Sequence, residues 1–303
     1  MKEFFWKIIT KLLISNKHQR KNFYKSISKV GVYKYLQMKK MNLNEGQAKF
    51  KYNVSIVAIA KNEGIYFKEW IEYHKLIGIE HFYIYNNETQ DNTKEVLAPY
   101  IESGLVTWID FPGRQMQAPA YNDAISKYKN ETKWMCALDL DEFIVLKKHN
   151  NINEFIQNFN DCYQVSLRWM YYGSSGHVKQ PQGLVIENFT KHAKECSDTF
   201  KSIFNPRLAI DADLVHNIIG VGKWVDENKV EFGKSKSSVN IAQINHYFIK
   251  SKEEFVNRKV ARGSCWDKHI ITDVENMFTK HDINDVEDDL MTSYAKKLKE
   301  IMK

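Results

Sequence analysis

Four cysteines in 303 residues, Cys136, Cys162, Cys196 and Cys265, are too few and too widely spaced for a disulfide framework. None forms a C-x-x-C pair, which argues against structural zinc and for reduced thiols in a cytosolic compartment; Cys136, inside an apolar run, is expected to fill core. No Gly-x-Gly-x-x-Gly and no Gly-Lys-Ser/Thr phosphate loop occurs, so a dinucleotide-binding or P-loop fold is disfavoured. Basic charge is missing from most of the chain. The formal net charge is +7, but residues 1–51 hold 13 Lys or Arg against 2 acids, which leaves 31 basic against 35 acidic residues, net −4, over residues 52–303. A nucleic-acid enzyme carries its positive charge along the substrate channel of the body, so this distribution counts against that class.

What is present reads as a soluble globular chain, 43% hydrophobic and 27% charged, long enough for one large α/β domain or two small ones. Residues 1–14 carry Phe4, Phe5, Trp6, Ile8, Ile9, Leu12, Leu13 and Ile14 interleaved with Lys2, Lys7 and Lys11. The lysines break the run too often for a spanning helix, and no small-residue cleavage site follows. An amphipathic helix on an anionic membrane face fits, as does a helix packed on the body with its lysines in water. Residues 34–51 read as a polar connector.

Residues 54–60, Val-Ser-Ile-Val-Ala-Ile-Ala, form a continuous apolar, β-branched run, as a buried central strand requires. A helix follows from about Ile65 to a stop at Gly78, then a strand over 81–85, a helix to about Ser103, a strand over 105–109, a helix over 120–128 and a strand from Trp134. This alternation implies a doubly wound parallel sheet whose ligands sit at the carboxyl ends of its strands. Polar residues collect at those ends: Lys61, Asn62 and Glu63, then Asn87 and Asp91, then Asp139, Asp141 and Glu142. On strand periodicity Asp139 and Asp141 face the same way, and two such carboxylates call for a cation between them, a hard divalent ion such as Mg2+ or Mn2+. Taken alone, Leu138-Asp139-Leu140-Asp141-Glu142 also fits a strand running into a solvated loop.

Lys61-Asn62-Glu63, then Glu69-Trp70-Ile71-Glu72-Tyr73-His74 with Gly78, then Tyr85-Asn86-Asn87 with Asp91, then Leu138-Asp139-Leu140-Asp141-Glu142-Phe143 resemble glycosyltransferase family 92 and its bacterial relatives near family 2. The resemblance covers most of residues 54–263 and implies the GT-A fold, a doubly wound mixed α/β sheet flanked by helices. It implies that Asp139 and Asp141 are the D-x-D that holds Mn2+ or Mg2+ against the diphosphate of a nucleotide sugar. Lys61, Asn62, Glu63, Asn87 and Asp91 would then flank the base and ribose, with Asp123 a further donor contact. The likeness continues at His246-Tyr247, Lys250-Ser251, Glu254-Phe255 and Arg262-Gly263, and implies His246 as a metal ligand and Arg262 as a diphosphate contact. Lys201 and His216 are weaker candidates for the same rim.

Past Phe143 the alternation breaks. Residues 165–172 read as a strand, 173–176 as a turn and 184–189 as another short strand, together forming the acceptor side. Trp169, Tyr171, Tyr172 and Trp224 are candidates to stack on sugar rings, most of them expected in the core. Ser251 and Glu254 have capping-box spacing for a helix after Lys250, and a further helix is expected over 286–301. The resemblance implies metal-dependent, inverting transfer of a hexose, UDP-galactose being the first donor to expect, to a glycan or glycolipid acceptor such as a lipopolysaccharide or capsule precursor. A carboxylate takes the acceptor proton, with Glu187 named first and Asp198 and Asp226 behind it. The expected division is a basic arm and connector (1–51), a catalytic domain (52–263) and a helical tail (264–303), in a cytoplasmic protein peripheral to the inner face of the cell membrane. The rival is a basic-armed nuclease or nucleotidyltransferase that uses the same acids for its metal.

Overall fold

The computed structural model describes residues 11, 14–43, 49–234, 236–261 and 273–303. Four parallel strands, β1 (Tyr52–Ala60), β2 (His81–Asn86), β3 (Val106–Asp110) and β4 (Thr132–Ala137), lie in the order β3-β2-β1-β4. They alternate with α2 (Gly64–Leu76), α3 (Thr93–Glu102) and α4 (Gln117–Tyr128). The apolar runs are continuous because both faces of each strand are covered. Ile56, Ala58, Phe82, Ile84, Trp134 and Cys136 face α2 and α3, whereas Val57, Ile59, Tyr83, Tyr85, Met135 and Ala137 face α4.

The sheet then turns mixed. With β5 (Glu142–Leu146), β6 (Cys162–Tyr171), β8 (Phe200–Phe204) and β12 (Ala242–His246), the order continues β4-β8-β6-β12-β5. β8 runs antiparallel to both β4 and β6, and β12 runs parallel to β6 and antiparallel to β5. β11 (Lys223–Asp226) joins β6, while β9 (Ala209–Leu214) with β10 (Asn217–Gly220), and β7 (Lys191–His192) with β13 (Val286–Glu287), form small pairs. The helices of this half are α5 (Ile152–Ile156), α6 (Val185–Asn188), α7 (Lys252–Glu254), α8 (Val274–His281) and α9 (Thr292–Ile301). This is the GT-A-type doubly wound mixed sheet that the motifs implied.

The helix motif Glu69 to His74 has a mechanical role. Trp70 Nε1 donates to the carbonyl of Glu142 at 2.9 Å, Tyr73 Oη donates to the carbonyl of Ile144 at 2.7 Å, and His74 Nε2 accepts from Ile144 N at 3.4 Å. One face of α2 therefore grips β5 at the residue that follows the acidic turn. Burial lowers the His74 pKa to about 3, so this imidazole is neutral and structural.

Three local expectations change. Residues 184–189 form a short helix, α6 (Val185–Asn188), because both Glu69 carboxylate oxygens accept from its first amides, Val185 N at 2.8 Å and Ile186 N at 3.0 Å. The short apolar run Leu184-Val185-Ile186 cannot itself distinguish strand from buried helix. The stretch read as a polar connector is helical to Leu43: α1 (Lys17–Leu43) breaks at Gly31, whose backbone (φ 77°, ψ 160°) leaves the helical region. Its first half docks on the body, with Asn22 Nδ2 and Ser26 Oγ both donating to the carbonyl of Gly220 at 2.8 and 3.0 Å. At the C-terminus the expected long helix divides into β13 and α9 (Thr292–Ile301), which buries Ala295 and Leu298 in the main core. The expectation of an amphipathic helix over residues 1–14 falls almost wholly outside the described residues. Among those described, no helix is long and apolar enough to cross a membrane.

Candidate active site

The acidic stretch is a turn, not a strand. β4 ends at Ala137 and β5 begins at Glu142, so strand alternation does not govern where Asp139 and Asp141 point. The turn closes on itself: Glu142 N donates to the carbonyl of Asp139 at 3.1 Å, and Asp139 N donates to Glu142 Oε2 at 2.9 Å. The two aspartates meet different partners. Asp139 Oδ1 accepts from Gln117 Nε2 at 2.7 Å and Tyr121 Oη at 3.2 Å, both on α4, and its Oδ2 accepts from Lys201 Nζ at 2.8 Å. Asp141 Oδ2 accepts from Lys259 Nζ at 2.5 Å, and its Oδ1 lies 3.5 Å from His246 Nε2.

His246 arrives through sheet register. It pairs with Glu142 across β12–β5 and with Tyr171 across β12–β6, which sets its ring against Trp169 (centroids 4.1 Å) and Tyr171 (5.2 Å). One ligand atom from each of Asp141, Glu142 and His246 lies within 4.8 Å of the others. Glu142 Oε1 and His246 Nδ1 are buried without a hydrogen-bond partner among the described residues. Two carboxylate oxygens and an imidazole nitrogen form a donor set suited to a hard or borderline divalent ion, so the residues present fit one. Asp139, expected as a ligand, is not in this triad, and Glu142 stands in it instead.

Electrostatics divide the site in two. Burial raises the Glu142 carboxyl well above its ordinary range, although the Lys201 ammonium opposes this from 3.5 Å. Burial alone would lower Lys201, but Asp139 and Glu142 outweigh it and hold the fully buried ammonium charged. Burial likewise works to raise Asp141, yet Lys259 and then His246 bring its carboxyl well below the usual range. Burial lowers His246, against the pull of Asp141. Asp141 faces a small cavity lined also by Glu63, Tyr66, Lys250, Glu254, Arg258 and Lys259, so three cations and three carboxylates meet at one opening. Burial draws Lys250 down to about 8; its ammonium lies 4.2 Å from the centroid of the Tyr66 ring.

The other expected donor contacts are at the strand ends, but several are engaged in holding loops. Asn87 Nδ2 donates to the carbonyls of Phe111 and Gly113 at 3.1 and 2.9 Å. Asp91 accepts from Gly64 N and Thr93 N, both at 3.0 Å, and so caps the starts of α2 and α3. Asn62, in the left-handed region at φ 57°, accepts from Gln90 N at 2.7 Å. Lys61 lies 4.0 Å from Glu88. Asp123 accepts from Tyr85 Oη at 2.7 Å and pairs with Lys127. Glu63 alone of the strand-end set lines the Asp141 cavity, and Arg262 lies outside the described residues.

None of the three expected bases reaches that cavity. Glu187 pairs with Lys299 on α9, Asp198 accepts from Ser237 Oγ at 2.7 Å, and Asp226 accepts from Asn228 N and Val230 N to close a turn. Among the candidate aromatics Tyr172 and Trp224 are core, whereas Trp169 and Tyr171 face His246. His216 is half-buried beside Trp169, and desolvation lowers its pKa to about 4.

Sequence reading did not assign Lys250, Arg258 and Lys259 to the site, nor Gln117 and Tyr121 to Asp139. The capping box at Ser251 and Glu254, which forms as expected, was the signal available for the first three, since it sets the turn from which they project. A further carboxylate is Glu69, raised by burial from its ordinary 4.5 to about 7. A raised carboxyl keeps its proton in the folded state after the unfolded chain has lost it, so its contribution to stability falls as pH rises from about 4.5 to 7. Unfolding free energies of wild type and Glu69→Gln, measured across that window, are expected to differ in slope, with the variant flatter.

A family model, Glycosyltransferase family 92, matches residues 54–294. A glycosyltransferase family 92 protein of Ricinus communis is 25% identical over 230 residues, 71% of this chain and 38% of that protein. One from Oryza sativa is 24% identical over 223 residues, 71% of this chain and 36% of that protein. A galactan beta-1,4-galactosyltransferase of Arabidopsis thaliana is 29% identical over 113 residues, 34% of this chain and 22% of that protein. The chain thus spans less than two fifths of the length of these relatives. Among solved structures, residues 1–349 of S. aureus TarS in complex with UDP match at 14% identity and a TM-score of 0.36, over 52% of this chain and 47% of that fragment, a partial likeness only.

Proposed function

This chain belongs to glycosyltransferase family 92, and from that premise we propose that it transfers a hexose from a nucleotide-sugar donor to a hydroxyl of a glycan or glycolipid acceptor, with inversion. The observation that carries this reading is the Asp141, Glu142 and His246 triad, whose member Asp141 lines a cavity walled also by Lys250, Arg258 and Lys259. A diphosphate needs both a cation-binding edge and positive side chains, and here they share one opening. When bound at the triad, a divalent ion, Mn2+ or Mg2+, supplies Lewis-acid charge to the leaving diphosphate.

The chain's own residues do the rest. Lys201 offsets the Asp139 and Glu142 charges and, with Gln117 and Tyr121, fixes Asp139 in orientation. Lys250, Arg258 and Lys259 balance the departing phosphate charge. In the transfer step the acceptor oxygen forms a bond to the anomeric carbon from the face opposite the diphosphate. The bond from that carbon to the phosphate oxygen breaks, the nucleoside diphosphate leaves with the electron pair, and the acceptor proton passes to a carboxylate. Glu69, raised to about 7, has a proton affinity suited to that role near neutral pH.

UDP-galactose is the first donor to test, in line with the Arabidopsis relatives, which are named galactan beta-1,4-galactosyltransferases. On this reading residues 52–263 are the catalytic unit, residues 264–303 its tail, and residues 1–51 an arm that keeps a cytoplasmic enzyme at an anionic membrane face, near a lipopolysaccharide or capsule precursor. Val32, Tyr33, Leu36 and Met41 are exposed among the lysines of α1 beyond its break at Gly31, which supports the arm. Calorimetric titration of UDP into the full chain tests the reading. Binding is expected with Mn2+ and is expected to weaken at least tenfold in EDTA; the absence of heat in both conditions would remove a metal-assisted UDP site.

A further inference from the structure

A second, larger cavity of about 360 Å³ lies between the first turns of α2 and residues 180–189. It shares Tyr66 and Glu254 with the Asp141 cavity, and Tyr66 Oη donates to Glu254 Oε1 at 2.7 Å, so one hydrogen-bonded pair walls both. The two sides of that wall differ in charge. Toward Asp141 the lining carries Lys250, Arg258 and Lys259. Among the described residues the larger cavity has no Lys, Arg or His in its lining; its polar groups are Glu69, Glu254, Gln180, Gln182 and Asn188, beside the apolar surface of Pro181 and Phe189.

We infer that this cavity is a subsite for the acceptor and takes a neutral, hydroxyl-rich sugar residue, not a phosphorylated or otherwise anionic one. The inference rests on the glycosyltransferase reading and adds the substrate class. Two carboxylates repel an anionic ligand, and no cation among the described lining residues would pair with it, the nearby Lys250 ammonium already being shared by Asp141, Glu254 and Glu69. Amides both donate and accept, which matches hydroxyl groups, and ring carbons pack on the apolar part of the wall. The volume lies in the range of small-molecule sites. The wall is fixed before any ligand arrives: Glu69 holds the start of α6, and Asn188 Nδ2 donates to the carbonyls of Gln182 and Leu184 at 3.0 and 2.8 Å. The shared Tyr66–Glu254 wall places such a sugar next to the diphosphate side, as transfer requires.

The test uses the full chain saturated with UDP and Mn2+. Neutral β-1,4-galacto-, gluco- and manno-oligosaccharides are titrated alongside the same oligosaccharides carrying a phosphate or a uronic acid. At least one neutral oligosaccharide is expected to bind, its anionic counterpart at least tenfold more weakly. Replacing the rim amides together, Gln180→Ala with Gln182→Ala, is expected to weaken the neutral ligand at least fivefold and leave the UDP titration unchanged, which also certifies the fold. Absence of binding by the whole neutral set, tighter binding of the anionic forms, or neutral binding untouched by the double substitution would overturn the subsite. Loss of UDP binding in the wild type would instead overturn the nucleotide-sugar reading, so the two failures are distinct.

Discussion

Asp141→Asn is expected to lower the rate of sugar transfer about 10³-fold and to abolish the metal dependence of UDP binding, while the chain stays folded. Asparagine keeps the shape and one acceptor for Lys259 but removes the charge that a cation needs. Asp141 is the triad member whose carboxyl is held well below its usual range, so at neutral pH it supplies the triad's dependable negative charge. Glu142, raised by burial, supplies less. A parallel Asp139→Asn change is expected to have a smaller effect on metal affinity, because both Asp139 oxygens already accept from Gln117, Tyr121 and Lys201. Metal titrations followed by calorimetry on the two variants check this. Equal metal affinity in wild type and Asp141→Asn would refute the assignment.

Lys201→Met has the largest expected effect on stability. Lys201 is fully buried, 2.8 Å from Asp139 and 3.5 Å from Glu142, so its loss leaves two carboxylates facing each other without a cation. Breaking a buried ion pair from one side costs about 3–5 kcal/mol, mostly the penalty of the charge left behind. The pH dependence identifies the cause. Without the ammonium, Glu142 is raised further, so the folded variant holds a proton that the unfolded chain releases, and its stability falls as pH rises above the ordinary glutamate range. Urea unfolding at pH 5 and pH 8 is therefore expected to show a deficit that is smaller at the lower pH. A deficit below about 1 kcal/mol at pH 8 would mean that water or backbone already compensates the two acids.

Such a fixed internal cation is consistent with a site that must bind a mobile one. Lys201 offsets the inner side of the acidic turn, where Asp139 and Glu142 meet, and leaves Glu142 Oε1 and His246 Nδ1 without a hydrogen-bond partner among the described residues, while Asp141 lines the opening. A second ammonium, Lys259, rests on Asp141 and also donates to the carbonyl of Phe248 at 3.0 Å. Lysines 62 and 118 positions from their aspartates thus set the charge balance of a motif only a few residues long.

What could be read from residue order was what depends on near neighbours. Continuous β-branched runs separated by 3.6-period stretches determined the alternation from Val54 to Ala137, because burial of both strand faces leaves a local mark. The acidic cluster, the capping box at Ser251 and the core position of Cys136 were legible for the same reason. The tertiary structure alone decided which groups meet. His246 faces Glu142 because β12 pairs antiparallel with β5 in one register, and a shift of one residue would turn it to the other face. Asp139 and Asp141 diverge because packing ends β4 at Ala137, and Glu69 turns an apolar run into a helix by capping amides 116 and 117 positions away. Register, turn geometry and the partner of a buried charge depend on the burial of the whole chain, which no short window of sequence contains.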